Sequence, residues 1–314
     1  MTARLTGVRV PGIVLISIAA AMWGTDALFR KPLAQSTSTA TIVFGEHVIL
    51  VLVTLPFLVP SLRALWAAGP LYVGAGIAVG AGASALDTIL FTQAFVSGDA
   101  ITPVVLQQVQ PLVAISAAYL LLGEQPRRGF VWFLVPALLG VWLINFPHPF
   151  AVHANGLEVG ALALGAAVLW GLGTVFGRFL SRRLPFQQIV TVRFFFGLIA
   201  SAIALPVLGA PAYAGIHDTI WIGYLALVTG LLSLSLYYYG LRRTPASLAS
   251  LGELAFPATA AIVGIYVFDT HLRWTQWLGV VVVVAVVSLL PMRRRQIVRV
   301  RPHDGALEAA AVSA

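Results

Sequence analysis

ITPVVLQQVQPLVAISAAYLLL, residues 101–122, and SLASLGELAFPATAAIVGIYVF, residues 247–268, decide the fold. Set against each other at an offset of 146, Pro111 falls on Pro257 and Gln107 on Glu253. A proline inside a helix removes one backbone hydrogen bond and frees the carbonyl four residues earlier. Those carbonyls belong to Gln107 and Glu253, so a kink at each proline would put a polar side chain and a loosened backbone at equal depth in two apolar helices. Lipid does not tolerate such groups, and they should face protein or a water-filled cavity. The pair is therefore expected at the centre of a transport pathway.

Composition supports a membrane setting. The 314 residues are 59% hydrophobic and 10% charged, with a mean hydropathy of +0.93. A soluble chain of this length could not bury so much apolar surface. A helix needs roughly 20 residues to cross about 30 Å of hydrocarbon. Ten spans are expected: 11–29, 39–59, 71–95, 101–122 and 129–146, then 157–177, 187–208, 218–240, 246–268 and 273–291. Turn residues mark the breaks, as in Lys31-Pro32, Gly69-Pro70 and Gly123-Glu124-Gln125-Pro126. A basic, unstructured cytoplasmic tail is expected over 292–314. The start, with Arg4 and Arg9 ahead of an apolar run, has the outline of a signal peptide, but the run continues through Trp23-Gly24 and is read as a retained first span.

The net charge of +8 and pI near 10.4 do not point to nucleic acid, because the basic residues sit between apolar runs. With the N-terminus in the cytoplasm, inner segments carry fifteen Arg and outer loops only Arg30, Lys31 and Arg273. This bias favours an even span count, with both termini cytoplasmic in the plasma membrane of a bacterium. No cysteine is present, which excludes disulfides, thiolate metal sites and cysteine nucleophiles. The histidines lack metal-ligand spacing, no P-loop or G-x-S-x-G occurs, and no cofactor is expected. The small residues Gly74, Gly76, Gly80 and Gly82 read as close helix packing, not as a nucleotide fingerprint.

The halves repeat. AAAMWGTDALFRKPLA aligns with AAVLWGLGTVFGRFLS, placing Trp23-Gly24 on Trp170-Gly171 at an offset of 147, and Glu46 on Arg193. Five crossings are an odd number, so the second copy would enter the membrane upside down, the inverted-repeat plan of secondary transporters. The fold class expected is all-α integral membrane, ten transmembrane helices in two inverted five-helix repeats, 11–146 and 157–291.

With Trp-Gly in the first helix of each repeat, the paired prolines, and Leu122-Gly123-Glu124 closing the fourth helix, the chain resembles the EamA-type branch of the drug/metabolite transporter superfamily over about residues 11–291. The resemblance implies a basket of helices around a central cavity, and secondary transport of small metabolites, often export of amino acids or related compounds. The second repeat departs from it, with Phe268-Asp269-Thr270 in place of Leu-Gly-Glu. Asp26 also answers an uncharged Gly173.

Charges within spans cost at least about 2.5–3.5 kcal/mol each at the bilayer centre, so each needs a partner or water. Glu253 leads as a cavity carboxylate that binds a proton or a cationic amine; its alternative is a structural hydrogen bond between helices. Gln107 is its counterpart, and Pro111 and Pro257 are the helix kinks. Asp26, four residues from Arg30 on one helix face, lines the outward mouth with Trp23 and its partner Trp170, or else forms an ion pair at the end of the span. Glu46 and Arg193 are a candidate charge pair across the pseudo-twofold axis, either switching or static. His47 points about 100° away from Glu46, one residue's rotation on a helix. Asp87, with Thr88, Thr92 and Gln93 near it, forms a mixed polar wall of the cavity or else hydrogen bonds between helices. Among Tyr237, Tyr238 and Tyr239, at least one should face the bundle.

Four acids against one arginine lean toward amino acids or amines, moved by alternating access and driven by protons or by the solute's own gradient. The alternatives are a multidrug exporter of lipophilic cations and, in another class, a lipid-flipping protein. An intramembrane enzyme lacks any nucleophile–base or metal signature. Substrate identity, direction, coupling ion and oligomeric state are not written in the sequence.

Overall fold

A computed structural model describes residues 10–97, 106–107, 109–126, 128–146, 148, 157–268 and 271–300. The chain is almost wholly helical. The first half contains α1 (Gly12–Trp23), α2 (Ala27–Ser36), α3 (Thr39–Ala68), α4 (Pro70–Ile77), α5 (Asp87–Ser97), α6 (Gln110–Leu122) and α7 (Val131–Asn145). The second contains α8 (Leu157–Leu180), α9 (Phe186–Val207), α10 (Ile216–Tyr224), α11 (Ser233–Leu241), α12 (Ala246–Gly252), α13 (Ala255–Phe268) and α14 (Trp274–Ile297). Among the described residues, seven helical stretches are long and apolar enough to cross a membrane, and Gln110–Leu122, Arg128–Ile144 and Trp274–Leu290 are shorter apolar helices.

Three of the expected spans are interrupted. The first breaks at Gly24–Asp26 between α1 and α2. The ninth breaks at Glu253-Leu254 between α12 and α13. In the fourth, 101–105 and 108 lie outside the described residues, and α6 begins only at Gln110 after a turn at Val109. Pro111 and Pro257 therefore do not kink continuous helices. Each lies in the first turn of a new one, where a missing N–H leaves no helical bond unmade. The basic segment after 291 also differs from expectation. The last helix runs on to Ile297, and Val298–Val300 pairs antiparallel with Glu124–Pro126.

A second echo appears in the backbone. Ala78–Leu86 joins α4 to α5, and Leu225–Leu232 joins α10 to α11, both as π-helical turns. Leu225 lies 147 residues after Ala78, the offset of the Trp-Gly pairs. π-turns misalign the backbone ladder and are frequent at functional sites. Here the Ala83 carbonyl inside the first one accepts a bond from the Arg193 Nη2.

Small residues let the helices close around these segments. A Cβ on Gly80 would lie 2.5 Å from the Phe196 Cβ and 2.6 Å from the Arg193 carbonyl, so the first π-turn rests on the backbone of α9. Gly76 and Gly82 are also in contact range of Val192 and Leu169, but Gly74 meets nothing, so the close-packing reading fails there. The largest buried cluster includes Tyr72, Phe179, Leu180, Leu184, Tyr238 and Leu241 and reaches the larger chamber through Leu50, Phe194, Leu234 and Tyr237. A second seals α7 and α14 against α12 and α13.

Candidate functional site

The three helix breaks meet at two adjoining chambers of about 220 Å³ and about 110 Å³. Trp23, Phe91, Trp170 and Phe256 line both. Trp23 and Trp170, the matched tryptophans of the repeat, touch edge to face with centroids 6.1 Å apart. Tyr237 packs on Trp23 at 5.2 Å. The Trp23 indole N–H donates to the Thr229 carbonyl at 3.1 Å, fixing that ring. A flat aromatic solute would find offset or edge contacts here on several sides.

In the smaller chamber Glu253 stands at the gap between α12 and α13, 5% exposed. Its Oε1 accepts from the Tyr237 hydroxyl at 2.8 Å and the Thr174 hydroxyl at 3.0 Å. Its Oε2 accepts from the Gln110 Nε2 at 3.1 Å, and the Trp170 indole adds a further bond. No lysine or arginine touches it among the described residues. Its four neighbours, from three helices, are neutral donors, which satisfies a carboxylate without a cation. Gln107 lines the same chamber, as the repeat implies, but Gln110 makes the bond. The repeat singled out Gln107 as the counterpart of Glu253 and gave no signal for Gln110.

The larger chamber carries the other charges. Arg30 clamps two acids: its Nε donates to the Asp26 Oδ2 at 2.5 Å, and its Nη2 donates to the Glu46 Oε1 at 2.9 Å. The Thr229 hydroxyl supports Asp26 at 3.1 Å. The proposed Glu46–Arg193 pair is therefore corrected. Both residues line the chamber, but the turn at 24–26 brings Arg30 inward to Glu46 first. Arg193 ends instead on neutral groups: the Ser84 Oγ at 3.2 Å, the Tyr238 hydroxyl at 3.0 Å and the Ala83 carbonyl. His47 is buried; its Nδ1 lies 2.7 Å from the Val43 carbonyl and its Nε2 3.1 Å from the Ser84 Oγ. A carbonyl only accepts, so Nδ1 holds the proton and Nε2 accepts from Ser84, which in turn accepts from Arg193.

Asp87 is 4% exposed at the wall of the larger chamber, with the Thr88 hydroxyl 3.3 Å from its Oδ1. Thr92 lines the chamber too, whereas Gln93 is exposed and belongs to neither lining. Six residues beyond Asp87, Gln93 is rotated well away from it at 100° per residue. Tyr237 and Tyr238 face inward and Tyr239 is exposed beside Arg243. The inward charges thus number four acids against two arginines, because Arg30 belongs to the cavity and not to a loop. Among the described residues no group of three or more His, Asp or Glu could hold a metal ion.

A multi-pass helical protein with a central aromatic and polar cavity, broken helices at that cavity and matched halves belongs to the class of membrane transporters for small molecules. The EamA-like transporter family model matches residues 10–146 and 159–291, and the chain belongs to that family. It is a transporter of the drug/metabolite type, not an enzyme. It is 29% identical over 270 residues to the riboflavin transporter ImpX of Fusobacterium nucleatum, covering 81% of this chain and 88% of that one. It is 24% identical over 292 residues to the uncharacterized transporter YwfM of Bacillus subtilis, covering 90% and 95%. A solved crystal structure superposes with a TM-score of 0.71 at 18% identity, over 90% of this chain and 98% of the other, a likeness of fold alone.

Proposed function

We propose that the chain is a secondary carrier of flat heteroaromatic metabolites, working by alternating access through the two chambers. The observation that carries this is the Trp23–Trp170 pair in the wall shared by both chambers, with Glu253 and Gln110 placed to read a polar edge. The relative named as a riboflavin transporter supports the same solute class. Seven long and three short apolar helices suit ten crossings in two inverted five-helix repeats. The arginine distribution suits a plasma-membrane protein with both termini in the cytoplasm.

The amino-acid or amine reading, with export as its direction, is the second candidate. It is favoured by Glu253, a carboxylate at the chamber without a cationic partner among the described residues. The Arg30 clamp weakens it, because Asp26 and Glu46 already share a cationic partner.

Counterflow in proteoliposomes separates the two. Vesicles loaded with unlabelled riboflavin, amino acids, polyamines or lipophilic cations are scored for entry of the labelled partner. Trans-stimulation by riboflavin alone supports the first reading; stimulation by amino acids or polyamines alone replaces it with the second. Protons are the proposed coupling ion, with Glu253 as the acid. Glu253→Gln should keep counterflow while uphill, pH-driven accumulation falls to the equilibrium level. Retention of pH-driven accumulation by the variant removes Glu253 from coupling.

A further inference from the structure

Glu124 ends the first repeat's Leu-Gly-Glu and lies far from both chambers, yet it is 1% exposed. Gly123, at φ 65°, ends α6 in the left-handed conformation and turns the chain so that Glu124 points at the other repeat. Its Oε1 accepts from the Ala246 backbone N–H at 2.7 Å. Its Oε2 accepts from the Ser247 N–H at 2.9 Å and the Ser247 hydroxyl at 2.5 Å. These amides open α12, whose own N-cap residue is Pro245 and supplies no side-chain cap. The cap comes from across the molecule, and charge-assisted bonds of this kind are about twice as strong as neutral ones.

α12 has a second end. Its seven residues, about 10 Å of helix at 1.5 Å per residue, stop at Gly252, and the next residue is Glu253. One short, fully buried rod therefore joins the Glu124 contact to the solute chamber. An alternative partner for Glu124 stands nearby. Arg178 uses Nη1 on the carbonyls of Leu241 and Arg242, while its buried Nε has no hydrogen-bond partner among the described residues. It lies within electrostatic reach of Glu124.

We infer that Glu124 is the latch of a gate on the arginine-rich side, and that opening this side moves its carboxylate from the α12 amides to the free edge of Arg178. The inference rests on the alternating-access reading above. In the state seen here the latch is shut, and Tyr72, Phe179, Leu180 and Leu241 are packed in one buried cluster, with Leu241 bonded through its carbonyl to Arg178. Solute drawing on Glu253 strains α12 at one end, and the rod moves only when the other end is released.

The chain has no cysteine, so one introduced thiol reports opening without interference and without any solute. Ala249, fully buried in α12, is the reporter site as Ala249→Cys. A membrane-impermeant maleimide is applied to the arginine-rich face in inside-out vesicles. Glu124→Gln puts an NH₂ against backbone donors and should raise the labelling rate about tenfold, the loss of charge-assisted bonding. Arg178→Lys keeps a charge for the α11 carbonyls but has no guanidinium edge to receive Glu124, and should lower the rate about threefold.

Opposite shifts support the latch. An unchanged rate in Glu124→Gln, or faster labelling in both variants, overturns it, the latter being mere loosening. Should Glu124→Gln fail to insert, Ser247→Ala removes one of the three bonds. A rate increase of about threefold is then expected, and no increase overturns the proposal. Because labelling needs no solute, it reads the latch even where counterflow rejects the proposed solute class.

Discussion

In the first half of the chain, Asp26 and Glu46 hold Arg30 between them in a closed ionic clamp. In the second half, Arg193 occupies the position matching Glu46 and ends on a hydroxyl, a phenol and a carbonyl. The backbone plan around these sites is shared: π-turns at matched positions, helix starts at matched prolines, tryptophans that meet at the centre. Duplication thus preserved the π-turns, the prolines and the tryptophans but not every break: the first span turns at Gly24–Asp26, while its counterpart α8 runs unbroken from Leu157 to Leu180, and the charged and polar side chains diverged. A cavity with equivalent halves would present the same chemistry to both sides. This one has an ion-paired wall in the larger chamber and the uncharged donors around Glu253 in the smaller.

The largest effect is expected from breaking the clamp. Arg30→Met leaves Asp26 and Glu46 poorly exposed without their cation and should cost about 3–5 kcal/mol of stability. Thermal melting of the detergent-solubilised protein measures this; a melting temperature equal to the parent's would mean that the two acids never depended on Arg30.

Next comes the shared aromatic wall. Trp170→Ala and Trp23→Ala should each weaken binding of the transported solute about 10–100-fold, the loss of one desolvated aromatic face. Trp170→Phe should cost less than Trp170→Ala, because a ring remains although the bond to Glu253 is lost. Titration of solute binding by tryptophan fluorescence would decide, and equal affinities in all three variants would remove the tryptophans from the site.

The smallest effects test the packing behind the repeat. Gly80→Ala drives a methyl into the backbone of α9 and should destabilise by about 1–3 kcal/mol. Gly74→Ala meets open space and should leave the melting temperature unchanged. A penalty of equal size at both positions would contradict the close approach at the first π-turn.

Much of this site was legible before folding. Trp23, Trp170, Glu253 and Gln107 were singled out by their repeat positions, and all four line the chambers. Asp26, Glu46, Asp87 and Arg193 were singled out as charges within apolar runs, and they line the larger chamber. The Asp26–Arg30 ion pair was legible as an i,i+4 spacing, but the partners of Glu46 and Arg193 were not. Arg30, assigned to an outer loop by its place near Lys31-Pro32, turns inward because the first span breaks at Gly24–Asp26. Gln110, which the repeat did not single out, bonds Glu253, and Gln93 is exposed six residues beyond Asp87. The Glu124 contact was invisible because its partners are backbone amides 122 and 123 residues away.

The sequence by itself determined that the chain is a set of apolar helices, that its halves match, and which residues are too polar for lipid. Those properties are local sums over a segment or comparisons between segments, and they need no knowledge of neighbours. Only the tertiary structure decided which arginine meets Glu46, which tyrosines face inward, and which glutamine reaches Glu253. A hydrogen bond spans about 2.7–3.2 Å, and a helix turn or a break of two residues moves a side chain farther than that. Pairings are therefore set by where helices break and how deeply they pack.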